Sequence, residues 1–457
     1  MAVPQGVVNL KLKIFFSGIG GSGVSAIAGF AADKGYSITG TDRLFDVDPG
    51  HKIFKQLISK NISIVPQDGK GIDNSFDLAV FSTAVEKNNP DFISAENSGI
   101  QIKTRPEYLS ELVSQYKTIA VAGTSGKSTT AGMLAFIMQE LGMGPNYIGG
   151  GRVKQFRTEK NAGNYLSGNS DILIIEACES DGTIVNYKPY FSAISNLSLD
   201  HNPVEETAEM FKKLCINTSE LVITGKDDEN LRKFDITGSK GFSIDSDSEY
   251  KAVDIEYLPF ETIFMVNGHK FLTRLPGKHN LYNALSCIAI LSEMGVPLAK
   301  ISGALAEFSG IERRFDIHLN NSRNLVIDDY AHNPHKIAGL MSTIKNIRES
   351  VCFIFQPHGF GPTRLMKDGY IKVFSEHLRE TDTLVLLPIY YSGGTAAKDI
   401  SSNELAEAIT ASGRSADVIN DRNDIFSLLN KWCGFVVLGA RDDTLSDLAE
   451  SIAAKLR

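Results

Sequence analysis

The sequence predicts an α/β protein of three domains, Rossmann-like at its N- and C-terminal ends. Three observations carry this. The chain has 457 residues, too many for a single hydrophobic core. Three segments each open with a short apolar run, a turn of small or polar residues and a helical pattern. Later runs, in "VCFIFQPHG", "DTLVLLPIY" and "GFVVLGA", are apolar without alternation, as in parallel strands buried on both faces.

The first segment begins "LKIFFSGIGGSGVSAIAGFAADKGYSITGTD". Leu12–Phe16 reads as a strand, Ser22–Lys34 as a helix and Tyr36–Thr39 as the next strand, ending near Asp42. Gly18, Gly20 and Gly23 form G-x-G-x-x-G with an acid about 20 residues on, the pattern of a βαβ unit that seats a pyrophosphate on a helix N-terminus. That pattern suits NAD and UDP alike, and Asp42 is either a ribose ligand or a plain strand-end acid. The second segment begins "KTIAVAGTSGKSTT", with a strand over Thr118–Ala122 and a helix over Ser128–Glu140. The third begins "NLVIDDYAHNPHKIAGLMSTI", with a strand over Asn324–Ile327 and a helix over Pro334–Ile344. The expected domains are residues 1–115, 116–312 and 313–457.

The second turn makes the central domain one of the P-loop ATPase type. The common loop is G-x-x-x-x-G-K-[ST]. Here Gly123, Thr124, Ser125, Gly126, Lys127, Ser128 and Thr129 run in order, with only two residues between the glycines. Backbone N–H groups and a helix dipole converge there on a phosphate. Lys127 reaches the outer phosphates, and the Ser128 hydroxyl is placed to hold Mg²⁺. Further oxygen ligands come from "DILIIEACESDG", a strand over Asp171–Ala177 followed by acids. Glu176 is the acid expected nearest the metal, whereas Glu179 and Asp181 are either ligands or solvated loop acids. "FSAISNLSLDHN" ends another strand with Asn196, Asp200 and His201. His332 and His335 are spaced for one helix face, but the intervening Pro334 reads as a helix start rather than part of a metal pair.

Composition narrows the classes. A net charge of −8 argues weakly against nucleic acid as the main partner. No apolar run is long enough to span a membrane, and the N-terminus lacks a signal-peptide pattern. Five scattered cysteines without C-x-x-C read as reduced, cytoplasmic thiols.

With five motifs in order, the chain resembles the Mur ligase family, ATP-dependent amide ligases of peptidoglycan synthesis. "GTSGKST" resembles the family's ATP loop and "EACESDG" its E-A-D-E-S-D. "LPGKHNLYNAL", "GIERRF" and "IDDYAHNP" resemble the remaining signatures. "GIGGSGVSAIA", "FSTAVEKNNP" and "IKTRPEYLSEL" are similar to the branch that acts on UDP-N-acetylmuramate. The resemblance implies that Gly18, Gly20, Gly21, Ser22, Gly23, Asp42, Ser82 and Thr83 bind the UDP substrate. It gives Ser128 and Glu176 to the ATP metal and His201 to a second metal, with Lys127, Glu176 and His201 catalytic. Asn280 and Asn283 match positions near adenine, and Arg314 and Asp329 match nucleotide contacts of the C-terminal domain. His332, Asn333, His358 and Arg364 fall in the substrate or amino-acid region. Because these contacts come from two domains, closure of the third over the second on ATP is expected.

The reaction implied joins an amino acid, L-alanine by this branch, to UDP-N-acetylmuramate. Its carboxylate takes the γ-phosphoryl group to form an acyl phosphate, which the amine then attacks. Alternatives are addition of a recycled tripeptide to the same sugar nucleotide, or ligation to another carboxylic acid. An NAD-dependent oxidoreductase leaves the second loop unexplained, and intact Lys127, Ser128 and Glu176 argue against a non-catalytic regulator. ATP and Mg²⁺ are the cofactors implied. Small molecules are the partners, in a monomer or weak homodimer. Several residues depart from the family pattern. Ser125 and Cys178 replace the usual His and Asp, Gly359 stands where an Arg is usual, and "LGARDDTLSD" differs from the usual G-A-G ending. Other branches carry a carbamylated lysine near Lys212 and Lys213. Cys215 falls at that position here.

Overall fold

The computed structural model describes residues 12–199, 202–233, 236, 238–391 and 397–457. Asp200 and His201 lie outside the described residues. The chain forms two compact units, up to Ile311 and from Glu312.

The first unit holds two sheets. One consists of β1 (Lys13–Ser17), β2 (Ser37–Thr41), β3 (Ser63–Ile64), β4 (Leu78–Phe81) and β5 (Gln101–Thr104), in the order β3-β2-β1-β4-β5. All four pairings are parallel. The chain leaves β1 towards β2 and returns to β4 on its other side. The ends of β1 and β4 therefore flank a topological switch point, where open α/β sheets bind ligands. The glycine turn follows β1, and Ser82 and Thr83 follow β4.

The second sheet has ten strands. These are β6 (Lys117–Ala122), β7 (Asn146–Ile148), β8 (Tyr165–Leu166), β9 (Ile172–Glu176), β10 (Phe191–Ile194), β11 (Leu221–Gly225), β12 (Lys240–Ser243), β13 (Tyr250–Tyr257), β14 (Thr262–Val266) and β15 (His269–Thr273). The order is β15-β14-β13-β12-β11-β10-β6-β9-β7-β8. β6 lies between β9 and β10, parallel to both. Ile119, Ala120, Val121 and Ala122 are fully covered, which explains why this strand reads as continuous apolar sequence. The last hairpins alternate instead, because β13-β14 and β14-β15 are antiparallel.

The two sheets share a core. Helix Ser22–Asp33 packs beside β8, and Gly29 makes this close approach possible. A Cβ there would stand 2.5 Å from Tyr165 Cε1. Asn164 Nδ2 donates to Ser22 O (2.7 Å) and Ser25 Oγ (3.2 Å), fastening the start of that helix to the central sheet.

The second unit contains β16 (Asp316–Asn320), β17 (Leu325–Asp329), β18 (Val351–Gln356), β19 (Thr383–Leu386), β20 (Ala416–Val418) and β21 (Gly434–Gly439). Its order is β16-β17-β21-β18-β19-β20, parallel except for β16-β17. The fold is thus the expected α/β class with three sheets. The predicted strands and helices appear with their ends shifted by a residue or two, as backbone pairing rather than apolarity sets the limits.

Candidate functional site

The phosphate loop joins β6 to helix Lys127–Glu140. Gly126 is its N-cap at φ +86°, in the left-handed region, and a Cβ there would run into Asn283 Oδ1. Only glycine serves at that position. Asn283 is buried and accepts from Thr130 Oγ1 (3.1 Å), while Asn280 Nδ2 donates to Pro276 O (2.8 Å). Helix Lys278–Glu293 starts at Lys278 with Gly277 as N-cap, so neither asparagine caps it. Asn283 braces the phosphate loop from below.

Asn196, just past β10, holds the loop from the side. Its Oδ1 accepts from Thr124 Oγ1 (2.9 Å) and Ser125 N (2.8 Å), and its Nδ2 donates to Ser125 O (2.9 Å). Asn196 therefore fixes the shape of the loop, while Asn283 packs against Gly126 and ties the first turn of the helix through Thr130. Preorganised N–H donors are what a phosphate site requires.

Glu176 ends β9, beside β6. Its Oε2 accepts from Ser128 Oγ (2.9 Å), and its Oε1 accepts from Gly150 N (2.7 Å) and Gly151 N (3.1 Å). A hydroxyl and a carboxylate oxygen thus face each other at the helix start. This is the donor chemistry of a hard divalent cation. Among the described residues, no group of three or more His, Cys, Asp or Glu side chains gathers for a metal. Ser128 and Glu176 would hold Mg²⁺ together with phosphate oxygens and water, as Mg²⁺ usually does beside nucleotides.

Lys127 is turned back on its own loop. Its Nζ donates to Gly123 O (2.7 Å) and pairs with Glu179 Oε2 (2.9 Å). Glu179 is 1% exposed, so it is no solvated loop acid. Asp181 is half-buried and pairs with Arg105 Nη2 at 2.7 Å. Cys178 Sγ lies 3.0 Å from Ser180 Oγ.

At the first glycine turn, Gly18 has φ +81°, and a Cβ there would stand 2.7 Å from Ser82 Cβ. Gly20 is equally tight, with Asp42 Oδ2 at 2.9 Å from such an atom. Asp42 Oδ2 accepts from Gly20 N (2.8 Å), and its Oδ1 accepts from Leu44 N (2.9 Å) as a helix cap. Asp42 thus shapes the turn. Ser82 is half-buried and Thr83 exposed.

In the second unit, Arg313 is buried and Arg314 half-buried. Both guanidiniums lie over the Tyr330 ring, at 5.2 and 5.0 Å. Asp329 accepts from Phe315 N and Ala331 N, both at 2.7 Å. Asn333 caps helix Pro334–Lys345 by accepting from Lys336 N (2.9 Å). His332 precedes that helix and His335 is exposed on it, so the two share no face. The partner of His332 is His358, with ring centroids 5.3 Å apart. Burial lowers His332 to about 4, helped by Lys336, His358 and Arg314, and also lowers His358. Gly359 has φ +67°, a conformation an arginine would strain to adopt. Arg364 pairs with Asp399 at the surface (2.6 Å).

Helix Val204–Asn217 exposes Lys212 and Lys213, and Lys212 pairs with Glu209 (2.6 Å). Burial pushes the Cys215 thiol up to about 12. Sequence reasoning missed two supports of the site. One is the pair of Gly150 and Gly151 N–H groups on Glu176. The run "IGGG" before residue 152 was the available signal. The other is the bracing role of Asn196, which the sequence marks only as a strand-end residue.

Two glycine turns at strand ends, one with lysine, hydroxyl and carboxylate assembled, define a protein that handles nucleotide phosphates on parallel sheets. Models of the Mur ligase family match in chain order. The catalytic-domain model covers residues 13–117, the middle-domain model 121–291 and the glutamate ligase domain model 313–441. The chain belongs to the Mur ligase family. It is 32% identical to a UDP-N-acetylmuramate–L-alanine ligase of Fusobacterium nucleatum, over 99% of this chain and 98% of that one. It is 31% identical to the ligase of the same name from Persephonella marina, over 95% of each. The crystal structure of the UDP-N-acetylmuramate–alanine ligase from Thermotoga maritima superposes with a TM-score of 0.81 at 26% identity, covering 97% of this chain and 99% of that one. A murein peptide ligase from Psychrobacter arcticus shares the fold, with a TM-score of 0.68 at 22% identity over 97% and 98% of the two chains.

Proposed function

We propose that this protein is an ATP-dependent amide ligase that joins L-alanine to UDP-N-acetylmuramate in peptidoglycan synthesis. The observation that carries the reading is the assembly of Lys127, Ser128 and Glu176 at the ends of β6 and β9. Full-length similarity to L-alanine ligases supports the choice of substrates. The division of labour is that of residues 1–115 for the UDP substrate, 116–312 for ATP and ligation, and 313–457 for further nucleotide and amine contacts.

The Gly123–Thr129 loop binds the triphosphate through backbone N–H groups, and Lys127 leaves Glu179 to meet the outer phosphates. Mg²⁺, when bound, neutralises charge on the β- and γ-phosphates. Ser128 and Glu176 would hold it, and His201 is assigned to a second metal. The turn Gly18–Gly23, Asp42, Ser82 and Thr83 hold the UDP substrate so that its carboxylate attacks the γ-phosphorus in line, releasing ADP and leaving an acyl phosphate. The amine attacks that carbonyl and phosphate departs. Positioning and charge neutralisation supply most of the rate in such transfers. Asn280, Asn283, Arg314 and Asp329 are assigned to the nucleotide, and His332, Asn333, His358 and Arg364 to the amine side. The proposed nucleotide substrates place its work in the cytoplasm; separately, no described helix is long and apolar enough to cross a membrane.

The test is phosphate release from ATP and Mg²⁺ with UDP-N-acetylmuramate, across amino acids and the murein tripeptide. Release with L-alanine is the expected result. Release only with tripeptide moves the enzyme to recycling and makes Gly359 and Cys178 the first residues to revert. No release with any amine overturns the muramate assignment.

A further inference from the structure

The turn after β9 carries two carboxylates, and each holds a cation that lies at or beside a different glycine turn. Glu179 holds Lys127 of the phosphate loop. Asp181 holds Arg105, whose Cδ would lie 3.3 Å from a Cβ on Gly23 of the first glycine turn. The two acids belong to one closed turn. Gly182 N donates to Glu179 O (3.1 Å), and Asp181 Oδ1 accepts from Thr183 N (3.1 Å) and Thr183 Oγ1 (2.6 Å). Asn202 Nδ2 adds a bond to Glu179 O (3.4 Å). The two carboxylates thus stand two residues apart on one short hydrogen-bonded turn.

Each cation is also the one that an anion at its glycine turn would attract. Lys127 cannot move to a phosphate without leaving a buried carboxylate uncompensated, which is costly while the turn is fixed. The cost falls if the turn is free to carry Glu179 towards solvent.

Resting on the two-nucleotide reading above, we infer that Glu179 and Asp181 are positioning residues that couple the two sites. A UDP substrate that draws Arg105 away from Asp181 releases the turn, loosens Glu179 from Lys127 and so tightens ATP. Linkage requires ATP to tighten the UDP substrate by the same factor.

The test is titration calorimetry of Mg²⁺ and a non-hydrolysable ATP analogue, with and without saturating UDP-N-acetylmuramate. It is run on the parent, Asp181→Asn and Arg105→Gln, each checked for native circular dichroism. In the parent, the sugar nucleotide should tighten the analogue by about 5-fold or more, the lower end of usual coupling. In both variants that factor should fall to near one, and Asp181→Glu should restore part of it. Should Asp181→Asn fail to fold, Arg105→Gln decides the matter from the other partner. Equal coupling in parent and variants overturns the inference and leaves the proposed function standing, as does a parent that binds both ligands independently. If the parent binds no UDP-N-acetylmuramate at all, the functional reading fails and this inference with it.

Discussion

Lys127 is held by two acceptors, the Gly123 carbonyl and the buried Glu179 carboxylate. Its replacement acts on both chemistry and folding. Lys127→Ala should lower kcat by about 10²–10³, the usual loss for one preorganised charge-stabilising group, measured by phosphate release. It should also destabilise the first unit by about 3 kcal/mol, because Glu179 stays buried without its cation. A melting curve reads that second effect independently of activity. His332 gives a pH signature. Its folded value is about 4, against about 6.5 for an unperturbed histidine. Between those values only the unfolded chain takes up the proton, so stability falls as pH drops from 6.5 towards 4, and below 4 the loss is complete. His332→Gln should flatten that part of the stability profile, and the His332 ring resonances should titrate near 4.

At the scale of elements, the turn that opens the second unit is held by its acids. Arg313 and Phe315 sit at φ +58° and +49°, which non-glycine residues rarely adopt. Asp316 Oδ2 accepts from Arg313 N (3.1 Å), and Asp329 Oδ2 accepts from Phe315 N (2.7 Å). The Arg313 guanidinium donates to Gly439 O (2.8 Å) and Asp442 O (2.9 Å) and pairs with buried Asp328 (3.2 Å). Arg313→Ala should therefore cost the second unit about 3–5 kcal/mol in urea unfolding, the range for a broken buried pair. In the first unit, Gly29→Ala would drive a methyl group into the buried Tyr165 ring. Overpacking of about 1–3 kcal/mol is expected, seen as a lower melting temperature.

For the whole molecule, the partition after Ile311 makes a further prediction. The second unit has its own core, with Val326, Ile354, Phe435 and Val437 fully covered and Ile452 packed with them. A chain of residues 312–457 should fold alone, with a single cooperative urea transition and a dispersed NMR spectrum. A collapsed fragment without cooperative unfolding would contradict it.

Much of the architecture was legible because it is local. Apolar runs without alternation marked β1, β6 and β17, and glycines followed by Lys127 and Ser128 marked the phosphate loop. These features lie within a few residues of one another, so neighbouring side chains and backbone propensity decide them. Glu176 lies beside Ser128, because strand ends on one side of a parallel sheet converge. The partners of the site's cations and of its loop were decided by the packing of the sheets. Lys127 meets Glu179 across 52 residues, Ser125 meets Asn196 across 71 and Arg105 meets Asp181 across 76. No periodicity spans such distances. In sequence Glu179 and Asp181 read equally as ligands or as solvated loop acids, and the burial of Glu179 makes a paired charge its lower-energy state.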